Sequence, residues 1–402
     1  MSTTTPIWHD AERARAPLEH ALQTDVCVIG AGVAGLSTAW HLTQRGIDCA
    51  VVEKTTVAGG ASGRNGGFLV AGGALGHAEA RERYGERIAR RTMQATHEAL
   101  DAIRTLHAEA GIADELCETG CLQVSWADGE VEQMRVNHAV MAADGFRTEW
   151  LDEHDLPELV RRPGRVGLLE PDAATTHPGR WIRAFADLCE RAGVKIFEGS
   201  PVAEPLESTS FTAGAGHVQA QRVVVASDGA LAQLVPSLER LLRTKRLHIV
   251  GTEPAPRDTI PTPMGYRGGY EYIQQRPDGR IVIGGFSDHD GPDGAASFTT
   301  EETINPAVHA LIERHLREDL GVTATVTHRW IGMVGYSFDS RPVAGAVPGS
   351  DGIYAAGGYN GSGALNGFVA GRVIAELIAD GTSPDADLYG ELASRQGGRS
   401  SG

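Results

Sequence analysis

The stretch VCVIGAGVAGLSTAWHLTQRGIDCAVVE, from Val26 to Glu53, decides the predicted fold of this chain. A short apolar run ends at Gly30, and beyond the glycine turn apolar residues recur at helical spacing as far as Gly46. A second apolar run ends at Glu53, 23 residues after Gly30. This order of strand, glycine turn, helix, strand and acidic residue predicts a unit that binds a dinucleotide.

Each glycine of the turn has a physical role in that unit. Gly30 allows the tight turn, Gly32 lets the backbone approach a pyrophosphate, and Gly35 lets helix and strand pack closely. The alternative is an ordinary strand-turn-helix connection, and the three glycines alone leave FAD and NAD both open. The position of the motif, close to the start of a long chain, favours FAD.

Composition narrows the class of protein. The chain has 402 residues, 41% of them hydrophobic, and 51 glycines, which is enough for two domains with a substantial core. A net charge of −16 argues against nucleic acid as the natural partner. The first residues lack the apolar core of a signal peptide, and no apolar run reaches the length of a membrane helix. We therefore expect a cytoplasmic protein without a membrane span.

The five cysteines predict neither a disulfide framework nor a metal site. Cys27 and Cys49 fall in expected buried strands, where cysteine behaves as a small apolar residue. Cys117 and Cys121 are separated by three residues and have no second ligand pair nearby. No bound metal is expected.

Two further glycine-rich segments resemble ligand-binding turns. The segment 59–68, GGASGRNGGF, has too many glycines to pack a core, but its backbone N–H groups could face a large planar ligand. The alternative is a flexible surface loop. Near the end of the chain, Ile353–Ala356 predicts a buried strand, and residues 357–363 form a glycine turn before a predicted helix at 364–379. The intervening residues 246–330 have a β pattern, including a hairpin that ends at Gly285.

Together these motifs resemble the FAD-dependent amine and amino-acid oxidases of the D-amino-acid oxidase superfamily, over residues 24–380. The residues that carry the resemblance are GAGVAG with Glu53, the loop ASGRNGG, the hairpin ending in Gly284 and Gly285, the segment that begins at Trp330, and residues 358–363. The loop and the tryptophan segment are most similar to the gamma-glutamylputrescine oxidase branch.

The resemblance implies an α/β chain, α+β overall, in which a Rossmann-like FAD domain is joined to a substrate domain with an antiparallel sheet. The FAD domain would be discontinuous, comprising residues 1–75, 175–235 and 335–402. The substrate domain would comprise residues 76–174 and 236–334. FAD would lie between the two domains.

The resemblance also implies which residues contact FAD. They are Gly30, Gly32, Gly35, Glu53, Lys54, Ser62, Arg64, Asn65, Gly66, Gly67, Val202, Ala226, Gly358, Gly361, Ser362, Gly363 and Ala364. The sarcosine oxidases attach the flavin to a cysteine after the tryptophan, whereas residues 331–341 contain none. Non-covalent FAD is therefore expected.

Two departures bear on the reaction. The lysine that the sarcosine oxidases carry over the flavin is replaced by residues 281–283, IVI, so the electron acceptor, O2 or another, remains open. The arginine with which the amino-acid oxidases hold a substrate carboxylate is replaced by Met333 and Val334. A small-molecule amine is consequently preferred over an amino acid as substrate, unless Arg267 or Arg341 reaches the site from another direction.

The expected reaction is hydride transfer from the carbon beside an amine to flavin N5, giving an imine that water hydrolyses, with O2 reduced to H2O2. Aromatic candidates for the substrate wall are Tyr270, Tyr272, Trp330 and Tyr336, and His289 is a candidate proton acceptor. Ordinary core aromatics and a solvated histidine are the alternatives. At the level of function, the alternatives are an amino-acid oxidase or dehydrogenase and a non-catalytic flavoprotein that depends on a partner.

Overall fold

A computed structural model describes residues 5–9, 14–127, 129–291, 298–390 and 392–397. The outer ends of the predicted ranges 1–75 and 335–402 therefore lie outside the described residues. The fold class is confirmed: a Rossmann-like parallel sheet is combined with a second, largely antiparallel sheet.

The first sheet contains the dinucleotide motif at its centre. Its strands follow the order β16-β17-β10-β1-β2-β8, with β9 beside β10. Strand β1 pairs in parallel with β2 and β10, so the carboxyl ends of three strands meet at one edge. In chain order the strands are β1 Ala21–Ile29, β2 Cys49–Val52, β8 Lys195–Phe197, β9 Ser210–Ala213, β10 Gly216–Val225, β16 Val343–Ala346 and β17 Ile353–Gly357.

The second sheet is built from the middle of the chain. Its order is β15-β11-β14-β13-β12-β4-β6-β5, and all neighbours are antiparallel except β12 and β4. The strands are β4 Cys121–Val124, β5 Glu149–Leu151, β6 Gly167–Glu170, β11 Leu242–Pro254, β12 Met264–Tyr266, β13 Glu271–Gln275, β14 Arg280–Gly285 and β15 Val326–Ser337. Strands β3 Phe68–Leu69 and β7 Ala174–Thr175 form a separate two-stranded antiparallel sheet.

Helices cover both sheets. Within the described residues they are α1 Val33–Thr43, α2 His77–Tyr84, α3 Glu86–Glu109, α4 Glu130–Ala143, α5 Pro178–Arg191, α6 Leu231–Leu234, α7 Pro306–Arg314, α8 Gly363–Asp380 and α9 Leu392–Gly397. Apolar residues of α1, α3, α5 and α8 share one core with β1 and β2. Helix α7 and the π-helical turn His315–Asp319 cover one face of the second sheet.

The helices of the described part include none that is both long enough and apolar enough to cross a membrane. The strands of the first sheet come from the segments predicted for the FAD domain, and those of the second sheet from the segments predicted for the substrate domain, except that the last three residues of β15, 335–337, fall in a range predicted for the FAD domain. The exact domain boundaries remain a prediction.

Candidate functional site

A cavity of about 1070 Å³ lies between the two sheets. One end is formed by the turn between β1 and α1, and the other by residues of β11, β13 and β15. The segment 59–77 lines much of the space between them. A cavity of this size is at the upper end of the range for cofactor sites.

The glycine turn at the first end has the geometry that the sequence predicted. Gly30 has φ +110°, and a Cβ at that position would lie 2.6 Å from the carbonyl oxygen of Ala226. A Cβ at Gly35 would lie 1.9 Å from the carbonyl oxygen of Gly30, so helix and strand can approach closely only with glycine there. Gly30, Gly32 and Ala226 line the cavity, whereas Gly35 stays behind the turn.

Glu53 is fixed at the end of β2. One carboxylate oxygen accepts a hydrogen bond from Ala31 N at 2.9 Å, and the other accepts from Thr55 N at 2.9 Å. A carboxylate has about four acceptor sites, so oxygens that line the cavity can still accept from ribose hydroxyls. Lys54 and Val202 line the cavity beside Glu53, as predicted for the adenosine end.

The loop 61–67 is ordered by its own polar side chains. Asn65 Nδ2 donates to the carbonyl oxygens of Ala61 and Ser62, and Asn65 Oδ1 accepts from Gly67 N at 2.7 Å. Ser62 Oγ accepts from Val33 N at the start of α1, at 3.0 Å. The alternative of a flexible surface loop is therefore wrong, and Ser62, Arg64, Asn65, Gly66 and Gly67 all line the cavity.

Three side chains hold this loop from behind. The indole of Trp8 donates to Asn65 O and the indole of Trp330 donates to Arg64 O, both at 2.8 Å, while Gln274 Nε2 donates to Gly66 O. The two indole rings meet edge to face, with centroids 6.2 Å apart. The sequence does not predict this contact of Trp8, because the atom that its indole binds lies 57 residues further along the chain.

Trp330 therefore does not stand where a substrate wall would be. Its side chain is 0% exposed and does not line the cavity. Burial of Trp330 against Ile7, Trp8, Ile249 and Val282 makes it a support for the loop. His289 also lies outside the cavity lining, with its imidazole 3.8 Å from the Asp288 carboxylate.

The glycine turn predicted at residues 357–363, near the end of the chain, also lines the cavity. Gly361, Ser362, Gly363 and Ala364 lie at the start of α8 and face the cavity. Gly358 does not face it, because its N–H donates to Asp228 Oδ1 at 2.9 Å.

Asp228 fastens this turn to the second sheet. Its other carboxylate oxygen accepts from Gly335 N of β15, also at 2.9 Å. Burial raises the pKa of Asp228 to about 6.

Tyrosines line the cavity on the side of the second sheet. Tyr272, Tyr336 and Tyr270 all line it, and a Cβ at Gly66 would lie 2.4 Å from the Tyr272 ring. Burial raises the pKa of Tyr336 to about 12, so its hydroxyl keeps its proton at neutral pH. The Lys245 ammonium lies 5.4 Å from the ring centroids of both Tyr270 and Tyr336.

Sequence reasoning missed two charged groups of this region. Lys245 was not identified because its aromatic partners come from two other segments of the chain, and no motif marks it. Glu170, at the end of β6, pairs with Cys121 across the ladder and lines the cavity together with Gln123. Burial raises the pKa of Glu170 to about 7, which makes this carboxyl group able to change charge near neutral pH. No motif marks Glu170 either, because its partner Cys121 lies on the neighbouring strand β4.

The residues present fit FAD. The cavity is continuous from Glu53, through the turn at Gly32, to the loop 64–67 and the start of α8, so it spans adenosine, pyrophosphate and ring positions. Two helix N-termini, of α1 and α8, face it and would stabilise negative charge. Ser227 Oγ and Tyr359 Oη are buried without a partner among the described residues, and both residues line the cavity.

Fold and site together define a flavoprotein of the two-sheet type. Residues 25–377 match the family model described as FAD dependent oxidoreductase, abbreviated DAO. The chain belongs to this family and is an FAD-dependent oxidoreductase.

Two relatives illustrate the similarity in sequence. A probable oxidoreductase OrdL of Rhizobium meliloti is 26% identical, over 96% of this chain and 90% of the relative. The gamma-glutamylputrescine oxidoreductase of Escherichia coli is 26% identical, over 93% and 88%. The branch expected from the sequence is thus among the relatives.

Solved structures show the same fold at lower identity. Glycine oxidase from Geobacillus kaustophilus superposes with a TM-score of 0.76 at 19% identity, covering 90% of this chain and 96% of that one. L-proline dehydrogenase from P. horikoshii superposes with a TM-score of 0.75 at 20% identity, covering 93% and 98%.

Proposed function

We propose that this protein oxidises the C–N bond of a small amine that enters the cavity between the two sheets. When bound, FAD would accept a hydride at N5 from the carbon beside the nitrogen, giving an imine that hydrolyses, and would pass its electrons to O2 to form H2O2. The protein residues need only bind the amine, orient it and exclude water. Relatives that act on an amine or an amino acid, by their names, support this class of reaction.

The observation that carries the proposal is that aromatic rings and a carboxyl group lie on the same face of the second sheet. Tyr272 of β13 pairs with Gly265 of β12, and Gly265 pairs with Gln123 of β4. Paired residues project to the same face of a sheet, and Cys121, two residues before Gln123, pairs with Glu170. Glu170, Gln123 and Tyr272 thus line one continuous surface, and the missing side chain of Gly265 leaves room for the Gln123 amide, whose Oε1 would lie 2.8 Å from a Cβ there.

This surface suits an ammonium group better than a carboxylate. Tyrosine rings attract cations through their faces, and an ionised Glu170 would add a charge-assisted hydrogen bond. Met333 and Val334, where the resemblance expects an arginine in amino-acid oxidases, both line the cavity with apolar side chains. The Arg243 guanidinium, which also lines it, stacks 3.9 Å from the ring of Phe338.

FAD is proposed to be held without a covalent bond. The residues that line the cavity beside β15, from Ile331 to Tyr336, include no cysteine. Of the five cysteines, Cys121 alone lines the cavity, from the opposite strand β4. Acid precipitation tests this: the supernatant should carry the yellow colour, and a yellow pellet would show a covalent link.

The test of the reaction is an anaerobic titration of the yellow protein with a panel of primary amines, secondary amines and amino acids. We expect an amine to bleach the flavin, and air to restore the colour with release of H2O2. If only amino acids bleach it, the second sheet recognises a carboxylate and the substrate class proposed here is wrong. If nothing in the panel bleaches it, a partner-dependent or non-catalytic flavoprotein is the better account.

A matched pair of variants tests the role of Glu170. Glu170→Gln removes the charge but keeps the size, and loss of a charge-assisted hydrogen bond worth about 1.5–3 kcal/mol should raise KM for the amine roughly tenfold or more. The control is Glu149→Gln, an exposed carboxylate on the neighbouring strand β5, which should leave KM unchanged. Equal KM values for the two variants would show that Glu170 does not bind the amine.

A further inference from the structure

A second cavity, of about 140 Å³, lies on the opposite face of the second sheet from the flavin cavity. Tyr266 and Glu271 are paired across β12 and β13, one residue away from the pair Gly265 and Tyr272 that faces the flavin cavity. Because successive residues of a strand project to opposite faces, Tyr266 and Glu271 face away from that site. The second cavity is closed from above by the end of α7 and by the π-helical turn that begins at His315.

Four rings surround this space. The Trp126 ring lies 5.0 Å from Tyr266 and 5.3 Å from His315, and the Phe286 ring lies 5.5 Å from His315, between centroids. We call Trp126, Tyr266, Phe286 and His315, together with Glu271, the aromatic cage. An enclosure of rings with one carboxylate is the arrangement by which proteins recognise alkylammonium groups.

Three polar atoms of the cage are buried without a partner in the described part of the chain: Tyr266 Oη, Glu271 Oε2 and His315 Nε2. The three residues are only 1%, 1% and 5% exposed. Unpaired polar atoms are costly in such a place, so three in one small cavity indicate a ligand that completes their hydrogen bonds.

Two of the three unpaired atoms, Glu271 Oε2 and His315 Nε2, call for a hydrogen-bond donor, whereas the Tyr266 hydroxyl can donate or accept. His315 Nδ1 lies 2.8 Å from the Asp319 carboxylate, which can only accept, so Nδ1 carries the proton and Nε2 presents a lone pair. Burial lowers the pKa of His315, which keeps the ring neutral. Glu271 Oε1 already accepts from Arg267 Nη1 and Phe286 N, leaving Oε2 as an acceptor directed into the cavity.

Two carboxylates beside the cage share one guanidinium. Arg267 pairs with both Glu271 and Asp288, and among the described residues Asp288 Oδ1 is also buried without a partner. Burial raises the pKa of Glu271 to about 7, which a bound positive charge would reverse. Two further guanidinium groups are near: that of Arg165 lies 3.5 Å from the centroid of the Trp126 ring, and the exposed Arg314 also lines the cavity.

We propose that the aromatic cage binds a small primary alkylammonium ion, whose N–H groups donate to Glu271 and His315 while its alkyl part contacts the rings. The cavity is close in size to one of about 150 Å³ that holds benzene, which limits the ligand to roughly six heavy atoms. This site is separate from the flavin cavity, and it does not depend on the reaction proposed there.

Calorimetric titration of the FAD-bound protein with methylammonium chloride tests the cage. We expect one equivalent that binds without changing the flavin absorbance spectrum, since the cage does not border the flavin cavity; methylammonium that also enters the flavin cavity would add a second equivalent that does change the spectrum. In Glu271→Gln, which keeps the size but removes the charge, the affinity should fall at least tenfold. Glu318→Gln, an exposed carboxylate on the π-helical turn, is the matched control and should bind as the unaltered protein does.

Three outcomes would overturn the proposal. One is equal affinity in Glu271→Gln and the unaltered protein, and another is binding that always shifts the flavin spectrum, which would place methylammonium in the larger cavity. The third is the absence of binding heat. Should Glu271→Gln fail to fold, Tyr266→Phe and a crystal of the unaltered holoenzyme soaked in methylammonium decide the matter, and density for water alone in the cage would refute the proposal.

Discussion

Gly66 is the residue at which one methyl group should do most damage to the flavin site. A Cβ there would lie 2.4 Å from the ring of Tyr272, and the loop cannot retreat because Gly66 O accepts from Gln274. We expect Gly66→Ala to cost about 1–3 kcal/mol of stability, a typical penalty for overpacking, and to lower the ratio of bound FAD to protein. Thermal unfolding and flavin absorbance measure both effects.

The same loop provides a control for that substitution. A Cβ at Gly60 would meet nothing within 4 Å, and its φ of −88° is open to any residue. Gly60→Ala should therefore leave the melting temperature unchanged. If Gly66→Ala and Gly60→Ala have the same melting temperature, the contact with Tyr272 is not rigid and the geometry assigned to the loop is wrong.

Glu170 gives the site a predicted dependence on pH. Its pKa of about 7 is raised by burial, so the carboxyl group is neutral below that pH and negative above it. An alkylammonium substrate, with a pKa near 10, stays positive through this range, and its affinity should rise as the pH passes from about 6 to 8. The Cys121 thiol opposite Glu170 has its pKa raised by burial and stays neutral, so it adds no charge change in this window.

KM measured from pH 6 to 8 tests this dependence. In Glu170→Gln the change in KM across the window should disappear, whereas in Glu149→Gln it should persist. If KM of Glu170→Gln still changes between pH 6 and 8, the change is due to the titration of another group.

At the scale of elements, the N-terminal arm, residues 5–9, supports the loop 61–67. Trp8 is 2% exposed and its indole N–H donates to Asn65 O. Trp8→Phe keeps an aromatic ring but leaves that carbonyl oxygen without its donor, so we expect a loss of about 1 kcal/mol and faster release of FAD. Stopped-flow flavin fluorescence measures the release.

Trp40→Phe is the control for the arm. Trp40 of α1 packs beside Phe185, and its indole makes no hydrogen bond within the described residues. This substitution should not change FAD release. If Trp8→Phe also releases FAD at the unaltered rate, the hydrogen bond to Asn65 does not contribute to holding the loop.

What the sequence could predict at this scale depended on distance along the chain. The unit from β1 to Glu53 was predictable because turn, helix and strand are consecutive and each glycine has a local steric reason. Trp330 was expected at the substrate wall, because aromatic residues in a β segment fit either face, and only the register with β11 places it behind the loop. Lys245 and Glu170 needed the same information, since their neighbours lie on other strands.

At the scale of the whole molecule, the loop 61–67 joins the two sheets around the cavity. Arg64 Nε donates to Ile331 O of β15, Trp330 of β15 donates to Arg64 O, and Gln274 of β13 donates to Gly66 O, so the loop 61–67 is bound to the second sheet at three points. Asp228 makes a fourth connection, through Gly335 of β15 and Gly358 beyond β17. FAD bound in this cavity would contact both sheets, and we expect both to unfold together in the holoenzyme.

FAD removal tests this coupling. A ligand that binds only the folded state stabilises it by about 4 kcal/mol at a thousand times its dissociation constant, so the melting temperature should rise steadily with FAD concentration.

Tryptophan fluorescence reports both sheets, because Trp330 lies in β15 and Trp181 in the core beside α1, whereas flavin fluorescence reports the cavity. We expect the two signals to change at one temperature in the holoenzyme. AMP should raise the melting temperature less than FAD, because it reaches only the end near Glu53. A flavin signal that changes well before the tryptophan signal would show that the cofactor is held by one sheet alone, and a melting temperature that FAD does not alter would show that FAD does not bind the folded protein preferentially.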